Sequence, residues 1–311
     1  PQGEISQIRS HWRWENDGLS RYGVKAEFSG LGVRAESYFP GAENLRGTID
    51  LTERGGAVHI DARAASLFLP AVFPEAQIRF DRLRADTQWS VKAGVIDVQI
   101  ERVQFASPDA TGSAQGTYRF DGNGPGEINL SARIDKADGR AVWRYMPHAV
   151  NADARAWLQH GITGGTASDA KLVLRGNLRD FPFRDPKQGQ FLVTAKAHDA
   201  RIDYAEGWPV IEHIEADMEF DYGMRIKAQR GRILGASIGP VEVSMPDFDV
   251  MDEMLIIKGK AAGPTGEFLK FIERSPVAAS IDHFTAGMQA QGPGELDLAI
   301  DLPLRRIDDT K

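Results

Sequence analysis

The chain contains no cysteine, which removes disulfide staples, thiol nucleophiles and every metal or cluster site built on thiolates. It has no run of about 18 apolar residues, so no segment is suited to cross a bilayer as a helix. Basic charge is not in excess: 37 Lys and Arg stand against 44 Asp and Glu, a net charge of −7. That balance argues against a general binder of nucleic-acid phosphates and against adhesion to anionic lipid headgroups. The first residues show no initiator Met, no basic segment and no apolar signal core, and the chain reads as a piece of something longer. What remains is 42% hydrophobic and 26% charged over 311 residues. This is a folded composition, long enough for two average domains or one long repetitive one.

What is present, from end to end, is alternation of apolar and polar residues with period two. Val24, Ala26 and Phe28 alternate with Lys25 and Glu27, Ile49 and Leu51 flank Asp50, and Val58 and Ile60 flank His59. Ile96, Val98 and Ile100 alternate with Asp97 and Gln99; at Arg102 the phase slips, as a bulge would make it, before Val103 and Phe105 resume. The pattern returns at Ile128, Leu130 and Ile134, at Leu172 and Leu174, at Phe191 and Val193, at Ile214, Met218 and Phe220, at Val241, Val243 and Met245, and at Leu296, Leu298 and Ile300. Each run predicts a strand with one apolar and one polar face. Gly, Asp, Asn and Pro punctuate the runs at hairpin spacing, as in Arg54-Gly55-Gly56. Helical spacing survives only from about Gly139 to Gly161, with Asn151 as an N-cap, and from about Thr265 to Glu273. Two short helices cannot cover about twenty strands. The fold class is therefore mainly β, with strands covering each other in a sandwich, barrel, solenoid or groove.

The chain also resembles itself. Leu45-Arg46-Gly47 recurs as Leu174-Arg175-Gly176, Phe73-Pro74 is matched by Trp208-Pro209, and Lys136-Ala137-Asp138-Gly139 by Lys260-Ala261-Ala262-Gly263. The shared order suggests a duplicated unit. The boundaries read from this are 1–44 as the end of a preceding β unit, 45–163 and 164–274 as two β units that each end in a helix, and 275–311 as the start of another.

Catalytic signatures are poor. Ser168 and Lys171 match S-x-x-K, but Lys171 opens a strand rather than completing a helical turn. Gly122 to Gly126 precedes a strand and offers no helix N-terminus to a phosphate. The seven histidines are dispersed without metal-ligand spacing, and His59 and His198 fall on polar strand faces. Asp97 and Glu101 belong to the outer face of a sheet, and no catalytic acid pair stands out. Trp12 and Trp14 share one strand face, while Trp143, Trp157 and Trp208 lie near helices or turns, where packing explains them. No enzyme activity, cofactor or metal is expected.

Between residues 141 and 209 the order Trp143-Arg144-Tyr145-Met146-Pro147, Trp157-Leu158, Leu174-Arg175-Gly176-Asn177-Leu178, Asp180-Phe181-Pro182-Phe183 and Gly207-Trp208-Pro209 resembles the central region of YhdP proteins, within the AsmA-like group that includes TamB. Phe39-Pro40-Gly41 upstream, and Ser275-Pro276 and Leu302-Pro303-Leu304 downstream, are similar flanking landmarks. The resemblance implies a bridge-like lipid transfer protein of the Gram-negative envelope. Such a protein is anchored in the inner membrane outside this chain and crosses the periplasm as a long, highly twisted antiparallel β-groove that carries phospholipid toward the outer membrane. Its partners would be phospholipids and membrane-side contacts beyond this segment. On that reading, Ile60, Val98, Leu130, Leu174, Val193, Met218, Val243, Leu298 and the other inward residues named above line an apolar trough. The competing readings are a structural or adhesive β array with a closed, lipid-free core, and a carbohydrate-processing enzyme on a repetitive β scaffold.

Overall fold

A computed structural model of the chain describes residues 2–15, 18–36, 40–248 and 253–304. Phe39 of the upstream landmark and the end of the last sequence unit, 305–311, lie outside them.

Fifteen strands follow one another in a single sheet whose spatial order is the order of the sequence. They are β1 (Gln2–Glu15), β2 (Gly18–Val33), β3 (Gly41–Thr52), β4 (Gly55–Phe68), β5 (Gln77–Lys92), β6 (Val95–Ala106), β7 (Ala110–Phe120), β8 (Glu127–Asp138), β9 (Ile162–Asn177), β10 (Gly189–Ile202), β11 (Ile211–Phe220), β12 (Met224–Ile233), β13 (Ala236–Met245), β14 (Met254–Pro264) and β15 (Pro293–Pro303). Neighbouring strands pair antiparallel, and the sheet does not close into a barrel, since β1 and β15 are its two edges. The strands are fewer and longer than the alternation suggested. By contact density the chain forms two compact units, one of residues 1–135, 144–150 and 171–191, the other of residues 136–143, 151–170 and 192–311.

Many strands are interrupted mid-length. In the first unit, Gln7 of β1, Asn44 of β3 and Ala64 of β4 adopt left-handed conformations, with φ of 50°, 56° and 51°, and Gly30 of β2 does the same at 59°. The register slips at or beside these residues in the β1–β2, β2–β3 and β3–β4 pairs. In the second unit Asp169, Asp199 and His213 play this part on β9, β10 and β11, and the β10–β11 register slips between Ala197 and Ala200. Bulges in neighbouring strands bend each strand locally and increase its twist. The slip read at Arg102 is also present, because Thr87 pairs with Ile100 while Asp86 pairs with Arg102.

The helical segments occupy the connections after β8 and β14, apart from a short 3-10 turn, Leu178–Asp180, after β9. A 3-10 turn, Gly139–Tyr145, is tied down where Arg144 Nη1 and Tyr145 Oη donate to Asp109 at 2.9 and 3.0 Å. Helix α1 (Ala152–Gly161) starts at Asn151, whose Oδ1 accepts from the Ala154 N–H at 2.7 Å. Helices α2 (Thr265–Glu273) and α3 (Val277–Ser280) follow β14. In the second unit Trp208 meets Tyr204 and Phe271 with ring centroids 6.0 and 5.7 Å apart, and the Trp157 indole N–H donates to the Tyr204 carbonyl at 2.9 Å.

The three internal sequence matches acquire a common spacing. Leu45-Arg46-Gly47 lies in β3 and its counterpart in β9; Phe73-Pro74 precedes β5 and Trp208-Pro209 precedes β11; the Lys136 and Lys260 segments end β8 and β14. Each pair stands six strands apart.

Candidate functional site

The apolar face of the sheet can be followed strand by strand from the registers. In the first unit one row runs Val24, Leu51, Gly56, Trp89, Val98, Tyr118, and the next runs Ala26, Ile49, Val58, Thr87, Ile100, Gly116. A third runs Phe28, Gly47, Ile60, Ala85, Val103, Ala114. In the second unit Val193, Phe220, Met224 and Met245 form a row, followed by Ala195, Met218, Ile226, Val243, Ile257 and Ile300. Ala197, Ala216, Ala228, Val241, Gly259 and Leu298 make the row beside it. Directly opposed side chains on one face lie about 5 Å apart, so each row is a strip that is apolar throughout except at Thr87.

Small residues within the rows make room for aromatic neighbours. A Cβ on Gly56 would come within 2.7 Å of the Trp89 indole, and one on Gly47 would lie 3.0 Å from Phe28 Cζ and collide with the His59 carbonyl. Phe28 and Trp89 therefore lie across the neighbouring strand. Where β2 to β6 bend, the face packs on itself: Phe28, Leu45, Ala62, Ala65, Phe80 and Leu83 are buried, with Phe105 edge-on to Phe80 at 5.9 Å.

Elsewhere the apolar face is only half covered. Among the described residues no large side chain is less than 2% exposed, although a packed interior of this length would bury many. Of the residues singled out from sequence, Ile214 and Met245 are buried. Ile49, Leu51, Val58, Ile60, Ile96, Val98, Ile100, Ile128, Leu130, Ile134, Leu172, Leu174, Phe191, Val193, Met218, Phe220, Val241 and Val243 are half-buried. Leu296, Leu298 and Ile300 on the edge strand β15 are 45%, 39% and 37% exposed, and Ile5, Ile8, Trp12 and Trp14 lie open on β1. Sequence reasoning missed Trp89, Tyr118, Ile226 and Ile257, which sit inside the rows. Ile226 alternates with Arg225 and Lys227 and was readable, whereas Ile257 is hidden in the unbroken run Met254 to Ile257.

The opposite face is polar and cross-linked by charge. Lys25 meets Asp50 at 2.7 Å, Arg119 meets Asp97 at 3.1 Å and Lys260 meets Asp297 at 3.3 Å, all largely exposed. Such pairs contribute little individually, about 0–1 kcal/mol, but keep this face wet. His59 and His198 lie on it as expected, yet neither is merely solvated. His59 Nδ1 contacts Asp86 at 2.5 Å. His198 joins Ser168 at 2.8 Å and Glu215 at 2.9 Å. Ser168 thus bonds His198 rather than acting with Lys171. Glu215 also accepts from the Asp199 N–H at 3.0 Å. Its carboxyl is held below the usual range, chiefly by that N–H, then by His198, with Arg230 adding to the effect. These bonds tie β9, β10 and β11 together across the bulge at Asp199.

No solved structure matches the chain. The chain is 24% identical over 314 residues to the Escherichia coli K12 protein named intermembrane phospholipid transporter YhdP, covering 98% of this chain and 24% of that relative. The family described as YhdP protein matches residues 1–311. The chain belongs to the YhdP protein family.

Proposed function

We propose that the apolar face is an open trough for phospholipid acyl chains, and that this chain is one length of a periplasmic bridge between inner and outer membranes. The observation that carries the reading is the set of largely half-buried apolar rows that cross β2 to β7 and, separately, β10 to β15. A closed structural array would bury these side chains fully; here they leave area for a ligand to cover. The relative's printed role as an intermembrane phospholipid transporter supports the same substrate.

The energetics suit transport. Each methylene withdrawn from water gains about 0.8 kcal/mol, so a tail of about sixteen carbons is retained even when one side of it faces the open trough. Because successive strands present equivalent rows, a tail that slides by one strand spacing exchanges one set of contacts for a similar one. Headgroups stay in water at the open side, and no covalent step is required. The six-strand spacing supports 45–163 and 164–274 as two copies of one trough-forming unit, with 1–44 and 275–311 belonging to neighbouring copies.

Photocrosslinking tests the reading. A photoreactive side chain at Val98, Ile226 or Ile257 in the full-length protein should capture phospholipid, and one at Gln99 or Lys227, on the polar face, should not. Equal capture from both faces, or none from the apolar positions, would overturn it.

A further inference from the structure

Between β4 and β5 the polar face brings like charges together. Arg63 of β4 and Arg82 of β5 stand directly opposite each other in the register, an arrangement in which like charges destabilise a strand pair. Arg46 of β3 joins them around a depression of about 550 Å³, whose walls also include Ser29, Gly30, Asn44 and Asp61. Asp61 is the sole carboxylate in that wall and is already shared, lying 3.7 Å from Arg82 Nη2 and 3.2 Å from Arg84 Nε. Among the described residues Arg46 and Arg63 have no ion-pair partner. The Arg82 Nε is buried without a hydrogen-bond acceptor, a costly state for a polar group.

The bulge itself fixes these groups. Asn44 Nδ2 donates to the carbonyls of Arg63 and Ala64 at 3.1 and 3.2 Å, which holds β3 to the bent part of β4. Gly30, which lines the depression, has a φ of 59° and leaves open space where a Cβ would stand.

The second unit provides an internal comparison. There Ala197 pairs with Ala216 before the bulge and Ala200 with Ile214 after it, as Ala62 pairs with Leu83 and Ala65 with Phe80. Between those pairs stand His198 and Glu215, a base and an acid 2.9 Å apart, with Arg230 3.7 Å from the same carboxylate. The position that neutralises itself in one unit is filled by two arginines in the other.

We propose that Arg46, Arg63 and Arg82 form a binding site for a phosphate-type oxyanion on the polar face. Planar guanidinium forks match tetrahedral oxyanions with two parallel donors each, and an anion seated between Arg63 and Arg82 would turn their repulsion into a bridge. The site lies on the face opposite the apolar rows and does not depend on acyl binding there. Its ligand is either free phosphate or the phosphate of a lipid headgroup.

Calorimetric titration of the full-length protein carrying this chain with inorganic phosphate, at ionic strength held constant with chloride, tests it. Saturable binding is expected, weakened about tenfold or more in Arg46→Gln and in Arg63→Gln, because each removes a charge-assisted contact. Phosphate should raise the melting temperature of the unaltered protein and leave that of Arg63→Gln unmoved. Without phosphate, Arg63→Gln should melt no lower than the unaltered protein, which separates loss of the site from loss of the fold. Cosedimentation with vesicles of phosphatidylglycerol and phosphatidylcholine in equal parts then identifies the source. Retention that Arg46→Gln and Arg63→Gln abolish assigns a headgroup, whereas phosphate binding without retention assigns a soluble phosphate. Absence of saturable phosphate binding, or binding unchanged in both variants, would overturn the proposal.

Discussion

Replacing Val243 by Asp places a carboxylate in the middle of a row, directly opposite Ile226 on one side and Ile257 on the other. Val243 is half-buried, so losing its contacts costs the fold about 1 kcal/mol, and the poor strand preference of Asp adds up to about 1 more. The sheet should survive. A lipid tail crossing this point must cover the new carboxyl, and the cheapest way is to protonate it first. From an ordinary pKa of about 3.9, protonation at pH 7 costs about 4 kcal/mol, equivalent to about a thousandfold slowing of passage. At pH 5 the cost falls to about 1.5 kcal/mol and the defect to about tenfold. The assay is transfer of a fluorescent phospholipid between donor and acceptor vesicles by the full-length protein carrying this chain, at both pH values. Ser244→Asp, one residue along and on the polar face, is the control and should transfer normally. Transfer at the unaltered rate by Val243→Asp, or an equal loss in Ser244→Asp, would refute the reasoning.

Three further outcomes are expected. Glu215 titrates below the ordinary carboxylate range, so it stabilises the fold above about pH 4.5 and ceases to as pH falls through its folded value; Glu215→Gln should lower denaturant stability at pH 7 by up to about 1 kcal/mol, with a deficit that shrinks as pH falls below about 4.5. Tyr145 and Tyr204 are both pushed up to about 12, Tyr145 by burial and then by Asp109, Tyr204 by burial and then by Asp203. Because the unfolded phenols release protons near pH 10, the stability both groups contribute should be lost between about pH 10 and 12, and absorbance titration should show two tyrosines ionising last. Asn151→Ala removes the cap of α1 and should cost about 1 kcal/mol in thermal or denaturant unfolding.

The strands were legible in the sequence wherever large apolar residues kept an undisturbed phase, and the second helix was readable to its ends at Thr265 and Glu273. Three physical effects concealed the rest. Bulges reset the phase inside a strand, so that β5, where Phe80 and Leu83 both face the core across an interruption at Asp81, does not read as one element. In β7 the inward positions before Tyr118 are Gly112, Ala114 and Gly116, too small to give a hydropathy signal; the Phe105 ring comes within 2.9 Å of where a Gly112 Cβ would stand, and β8 backbone crowds the Gly116 position. Polar clusters such as Ser168, His198 and Glu215 are joined only by registers that shift at those same bulges, and linear spacing cannot reveal them.

Lipid content of the purified protein bears most directly on the central claim. Native mass spectrometry of the protein released from membranes should show bound phospholipid, with occupancy reduced when Ile226, Val243 and Ile257 are together changed to Ser. Protein that is lipid-free at every loading, with its apolar rows inaccessible to solvent probes, would contradict the trough and favour a closed structural array.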